Sequence, residues 1–143
     1  MIRTKGYGRT QMSKEDEDRR TLDEIYAAFF SGDLDRWLSF WTEESIIWEA
    51  ESLPYGGTYR GLEQIKKLAE KMGSLWTDLN LEIHEILGSD ERLMAYGTWN
   101  GTGQKTGKRV TFPFAEMWVL KDGKVIEVVP IYSDTALINS VLT

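Results

Sequence analysis

The spacing of apolar residues changes at Trp76, and no other property of the chain constrains its fold as strongly. Before that point apolar positions recur at the short intervals of one helix face: Leu22, Ile25, Tyr26, Phe29 and Phe30, then Leu34, Trp37, Leu38 and Trp41, then Leu62, Ile65, Leu68, Ala69 and Met72. After it they alternate, with Leu79, Leu81 and Ile83 set against Asn80, Glu82 and His84, the period of a strand with one covered face. Helices followed by strands, with no regular βαβ alternation, predict an α+β domain. The 143 residues are enough for one such domain and leave no room for a second.

Local punctuation sets the boundaries. Residues 1–12 are polar and aperiodic and read as a flexible leader, with a single domain over 13–143. Ser13 followed by Glu15 and Asp16 has the pattern of a helix N-cap with acids in the first turn. Gly32 should end that helix, and Asp33 should cap a second over 34–41. A short strand is expected at 46–50, a loop through Pro54, Gly56 and Gly57, and a third helix over 62–72 closed by Gly73. Further strands are predicted at 92–99, 109–120 and 124–132, with a turn at 88–91, a long glycine-bearing hairpin loop at 100–108 and a tight turn at Lys121-Asp122-Gly123. A helix over 134–142 finishes the chain.

Composition excludes several function classes. The net charge is −6 with both signs interleaved, so no basic stripe is available to neutralise phosphates and no nucleic-acid partner is expected. The absence of cysteine rules out disulfides, thiolate metal sites and a cysteine nucleophile. His84, the sole histidine, falls on the polar side of its strand and reads as a surface or dimer-face residue. Gly56-Gly57 and Gly101-Thr102-Gly103 lack the phosphate-loop pattern, so the expectation is no metal and no cofactor. The N-terminal stretch is not followed by an apolar run, which predicts a cytoplasmic protein with no membrane partner. Six tryptophans suit either a broad core or the wall of an apolar cavity.

The segment 48–61 concentrates the chemical interest: Trp-Glu-Ala-Glu-Ser-Leu-Pro-Tyr-Gly-Gly-Thr-Tyr-Arg-Gly. On a strand Glu49 and Glu51 would share one face, with Ile46 and Trp48 on the other. Glu116 alternates with Phe114 and Trp118, an expensive position for a carboxylate unless it is paired, neutral or turned toward a wet cavity.

Four passages carry a resemblance: Tyr-Ala-Ala-Phe-Phe-Ser-Gly-Asp-Leu-Asp (26–35), Pro-Tyr-Gly-Gly-Thr-Tyr-Arg-Gly (54–61), Lys-Asp-Gly-Lys-Val-Ile-Glu (121–127) and Tyr-Ser-Asp-Thr-Ala (132–136). In their order and spacing the chain resembles the NTF2-like superfamily, in its SnoaL-like and ketosteroid-isomerase-related branch. The resemblance implies a cone-shaped barrel in which three N-terminal helices pack on a curved, mainly antiparallel sheet around an apolar pocket. It also implies a homodimer formed through the outer sheet face. The family contains isomerases, polyketide cyclases, dehydratases and epoxide hydrolases, together with pocketed proteins of no known reaction, so the fold does not decide the function.

By position, the resemblance matches Glu49 to the isomerases' general base and Glu116 to the acid that hydrogen-bonds the developing oxyanion. Many SnoaL-like relatives carry histidine at the latter place. The isomerases' catalytic tyrosine aligns with Ile25, one residue before Tyr26. Asp134 resembles the terminal aspartate of the epoxide-hydrolase branch, although Tyr96-Gly97-Thr98-Trp99 lacks the Arg-x-Asp partner of that branch. Asp134 could equally cap the last helix, and Glu49 and Glu51 could sit at a solvent rim. Tyr26, Phe30, Tyr55, Tyr59, Trp118 and Tyr132 are the candidate ligand contacts. The expected partner is a small hydrophobic molecule. It would be either the substrate of a cofactor-independent isomerase or cyclase with Glu49, Glu116 and Asp134 as catalytic candidates, or the ligand of a non-catalytic binding or accessory domain.

Overall fold

Helix α1 (Lys14–Ser31) starts where the Ser13 side chain accepts the Asp16 amide, with Glu15, Asp16 and Glu17 at its positive end. It stops at Gly32, whose φ of 73° is the left-handed conformation that glycine adopts without steric penalty. The computed structural model describes residues 12–143. The predicted leader therefore lies outside the described residues except for Met12.

Helix α2 (Leu34–Leu38) is capped by Asp33 as expected but ends three residues early. The chain turns over Ser39 and Phe40, and Trp41 leaves the helical path to pack 4.9 Å from Trp37 and 6.0 Å from Trp118, ring centroid to centroid. Tertiary packing of one large ring outweighs another helical turn.

Strand β1 (Ile46–Glu49) pairs antiparallel with β2 (Gly57–Arg60), placing Trp48 opposite Thr58 and Glu49 opposite Gly57. The sequence reading treats 57–60 as loop; it is a strand, and the turn is confined to the residues before it. Gly56 is needed in that turn because a Cβ there would lie 2.3 Å from the Ala50 carbonyl oxygen. Helix α3 (Leu62–Leu75) passes through Gly73 instead of stopping there, and runs directly into β3 (Trp76–Gly88). A helical glycine costs only about 1 kcal/mol, which the buried contacts of Ile65 and Leu68 offset.

The remaining elements are β4 (Leu93–Gly103), β5 (Arg109–Lys121), β6 (Lys124–Tyr132) and α4 (Thr135–Leu142). Strand β4 ends four residues later than predicted, because glycines that look like a loop are places where other groups press on the sheet. A Cβ on Gly101 would meet the Trp76 ring at 2.7 Å, and one on Gly103 would meet the Val141 carbonyl oxygen of α4 at 2.0 Å. The turn between β5 and β6 has positive φ at both Asp122 and Gly123, as a two-residue hairpin requires.

The six strands form one sheet in the order β2-β1-β6-β5-β4-β3, antiparallel except for the β1–β6 pair. Register shifts after Thr77, after Ile83 and after Val119 bend it. Its inner face, with Leu81, Trp99, Phe112, Phe114, Trp118 and Val128, packs together with Leu22, Ile25 and Tyr26 of α1 in one core. This is the α+β barrel the sequence predicts. Among the described residues no helix is long and apolar enough to cross a membrane.

The two kinds of glycine should respond oppositely to alanine. Gly103→Ala drives a methyl into backbone and should cost roughly 1–3 kcal/mol. Gly73→Ala, with nothing within 4 Å of the added methyl, should gain roughly 0.5–1 kcal/mol. Urea unfolding midpoints measure both.

Candidate functional site

The inner sheet face and α1 do not close completely on each other. Between them lies a cavity of about 430 Å³, bordered by the last turns of α1 and α3, by α2, and by β1, β3, β4, β5 and β6. Five of the six tryptophans line it, namely Trp37, Trp41, Trp76, Trp99 and Trp118.

Two carboxyl groups reach into this apolar space. Strand parity delivers the first: Ile47 and Glu49 share the buried face of β1 while Trp48 is exposed, and Glu49 retains 8% of its accessible surface. Glu51 lies beyond the strand in an exposed turn, so parity does not carry it inward. The second comes from β5, where Glu116 stands on the inner face with Phe114 and Trp118, opposite Ala95 of β4 and Pro130 of β6. Those two small neighbours leave room beside the carboxyl.

Each carboxyl is held by one tyrosine. The Tyr132 hydroxyl donates to Glu49 Oε1 at 2.7 Å, and the Tyr26 hydroxyl donates to Glu116 Oε1 at 2.6 Å. Tyr26 in turn accepts the Trp118 indole N–H at 3.1 Å. The second oxygen of each glutamate has no hydrogen-bond partner among the described residues and is open to the cavity.

Burial disfavours the ionised form and dominates the titration of both acids. It pushes Glu49 up to about 8, against the opposing Tyr132 hydrogen bond and reinforced by the Glu116 charge. It pushes Glu116 up to about 7, partly offset by Tyr26. The tyrosines are also raised, by their own burial and by the carboxylate each faces, so they keep their protons and remain donors. Two acids that titrate near neutrality in one apolar chamber can hold, release and pass a proton.

Of the predicted site residues, Glu49, Glu116, Tyr26, Trp118 and Tyr132 meet at the cavity. Ile25 also lines it, and the phenol beside Glu116 comes from the adjacent Tyr26. The other four predicted residues do not line it. Asp134 is exposed and its carboxylate accepts the Leu137 amide as the N-cap of α4. Phe30 is half exposed and stacks on Tyr26 from outside. Tyr55 is wholly buried behind Tyr132, and Tyr59 donates to the Tyr55 carbonyl. Sequence reasoning missed Trp37, Trp76, Trp99, Met72 and Asp33 as cavity residues. The available signals were the recurrence of Trp37, Trp41 and Met72 on apolar helix faces and the richness of the chain in tryptophan. His84 is exposed and bonded to Thr98, away from the cavity. Among the described residues no three side chains of metal-ligating type cluster.

Comparison with known proteins gives a consistent result. The family described as the SnoaL-like domain matches residues 22–128. No curated protein matches the chain. Among solved structures, an NTF2-like protein of unknown function from Burkholderia pseudomallei is 23% identical, with a TM-score of 0.82, over 92% of this chain and 99% of that one. TerC, co-crystallised with polyporic acid, is 23% identical, with a TM-score of 0.77, over 86% of this chain and 95% of that one. A protein from Shewanella putrefaciens provisionally named a SnoaL-like polyketide cyclase is 15% identical, with a TM-score of 0.72, over 93% and 100%. At these identities the likeness is one of fold.

The raised acids fix the sign of a stability effect. A carboxyl with a higher pKa folded than unfolded binds more protons in the folded state, so its contribution is fullest below the unfolded value and declines as pH rises toward the folded one. Between pH 5 and 8 the wild type should therefore lose stability that Glu49→Gln keeps. The gap between the two should widen by on the order of a few kcal/mol, read from urea unfolding across that range.

Proposed function

Since the chain belongs to the SnoaL-like domain family, we propose that it binds a small hydrophobic carbonyl or cyclic molecule and moves a proton on it without a cofactor, as an isomerase or cyclase does. One observation carries this reading: the pair of tyrosine-held carboxyls, each with one oxygen open to an apolar chamber. Glu49 is the base. With a pKa of about 8 it is a far stronger proton acceptor than an ordinary carboxylate, yet it is available near neutrality. Glu116, backed by Tyr26 and Trp118, stands as the protonated partner that donates to the oxygen on which charge develops. The competent state holds one proton over the two acids, placed on Glu116. With Glu49 at about 8 and Glu116 at about 7 this is the minor of the two singly protonated arrangements, so substrate must draw the proton onto Glu116 and the pH profile belongs to the pair.

The same reading includes a homodimer. The outward residues Trp48, Tyr96 and Ile131 are each more than 40% exposed on the convex face of the sheet, with Met94, Met117 and Val129 on the same outward face, and an apolar patch of this kind favours a covered surface. Ile131→Glu should convert a dimer to a monomer in sedimentation velocity runs, and a wild type that sediments as a monomer at micromolar concentration would remove this part of the reading.

Proton transfer can be measured before the natural substrate is identified. Deuterium exchange at C2 of 1-tetralone in D2O, followed by NMR, should run above background, peak between about pH 7 and 8, and fall on the order of 100-fold or more in Glu49→Gln. Exchange that is unchanged in Glu49→Gln would favour the binding-protein alternative.

A further inference from the structure

The cavity's polar atoms are largely committed, and what is left over has a definite chemical character. The Tyr26 and Tyr132 hydroxyls are spent on Glu116 and Glu49. The Trp118 indole N–H is spent on Tyr26. The N–H groups of Trp41, Trp76 and Trp99 are covered by protein and make no hydrogen bond among the described residues, so these residues present ring carbon to the cavity. Besides indole and phenol surface, the chamber offers the open oxygens of Glu49 and Glu116, with Asp33 on its lining and the indole N–H of Trp37 without a hydrogen-bond partner among the described residues. Among the described residues, no lysine, arginine or histidine lines it.

The backbone field has the same sign. The cavity is bordered by the last turn of α1 through Phe29 and of α3 through Met72, and neither helix has a basic residue in its last turn. Helix C-termini carry partial negative charge. Helix α2 points its N-terminus this way, but Asp33 caps it. The chain as a whole is at −6, which draws cations toward it and repels anions.

We propose that, besides the neutral class named above, the cavity takes an organic cation, an aromatic or alicyclic amine whose ammonium group sits among the indole rings and pairs with Glu49 and Glu116. Aromatic faces with carboxylates are the recognition chemistry of substituted ammonium ions. An anion would meet like charge once the acids ionise, a neutral acceptor is held only while they keep their protons, and a cation is the one class that their ionised forms favour. The inference rests on this cavity being the ligand site and is independent of Glu49 acting as a base.

Coupling to protons gives the proposal a sign. The groups facing Glu49 are Tyr132, Tyr55, Tyr59 and Glu116, and Tyr26 faces Glu116. All the tyrosines are raised, which leaves the two acids as the groups that change charge between pH 6 and 8.5. A cation favours their ionised forms, so its affinity rises with pH over that range. A neutral hydrogen-bond acceptor needs them protonated, so its affinity falls.

The probes are benzyltrimethylammonium and its uncharged carbon isostere neopentylbenzene, titrated against the full chain at pH 6 and pH 8.5 by tryptophan fluorescence and calorimetry. The expected result is at least tenfold tighter binding of the cation at pH 8.5, a preference that shrinks at pH 6, and its loss in the Glu49→Gln, Glu116→Gln double variant, checked for folding by circular dichroism. Equal or tighter binding of the neutral isostere at pH 8.5 would overturn the proposal. So would cation affinity that falls as pH rises, or no cation binding at millimolar concentration. Neither probe has an exchangeable carbon acid, so this outcome is separate from that of the 1-tetralone exchange.

Discussion

Glu49 and Glu116 sit where water is scarce, and a carboxyl that loses water without gaining partners is costly to ionise. Each is given one partner, a tyrosine hydroxyl whose own burial keeps it protonated. One oxygen of each acid is thereby fixed and the other left open. The surrounding fold meets this requirement at several points. Glycine stands opposite Glu49 on β2, alanine and proline flank Glu116 on β4 and β6, and the indole rings form the walls. A long side chain in place of Ala95 or Pro130 would fill the space beside the Glu116 carboxyl.

Much of the fold is legible in the sequence because the periodic elements are long and their ends are marked by residues with one physical role. Ser13, Gly32, Asp33 and Asp134 act as the caps their chemistry predicts. The departures come from glycines. Gly101 and Gly103 resemble loop residues in a single sequence but belong to a strand, where the missing side chain admits a tryptophan ring or the backbone of the last helix. Gly73 resembles a helix stop yet lies within α3. What distinguishes these uses is the presence or absence of a neighbour from a distant part of the chain, and local pattern carries no record of that.

The site is legible to a similar degree. Alternation alone places Glu116 among apolar inward residues, and strand parity separates Glu49 from Trp48. The partners of these acids lie about 80 to 90 residues away in sequence, so the pairing of Tyr132 with Glu49 and of Tyr26 with Glu116 becomes visible only when the sheet has closed over α1. The same closure separates Tyr26, which faces the cavity, from Phe30, one turn further along the helix, which faces out. Tyr55 and Tyr59 support the wall from behind it, a distinction that composition does not contain.

The central claim is that two carboxyls in one chamber titrate near neutrality because burial outweighs their tyrosine hydrogen bonds. Side-chain carboxyl ¹³C resonances of uniformly labelled protein, assigned with the Glu49→Gln and Glu116→Gln variants and followed from pH 3 to 10, measure it directly. Midpoints of about 8 for Glu49 and about 7 for Glu116 are predicted. Midpoints for both close to the ordinary 4.5 of a glutamate would contradict it.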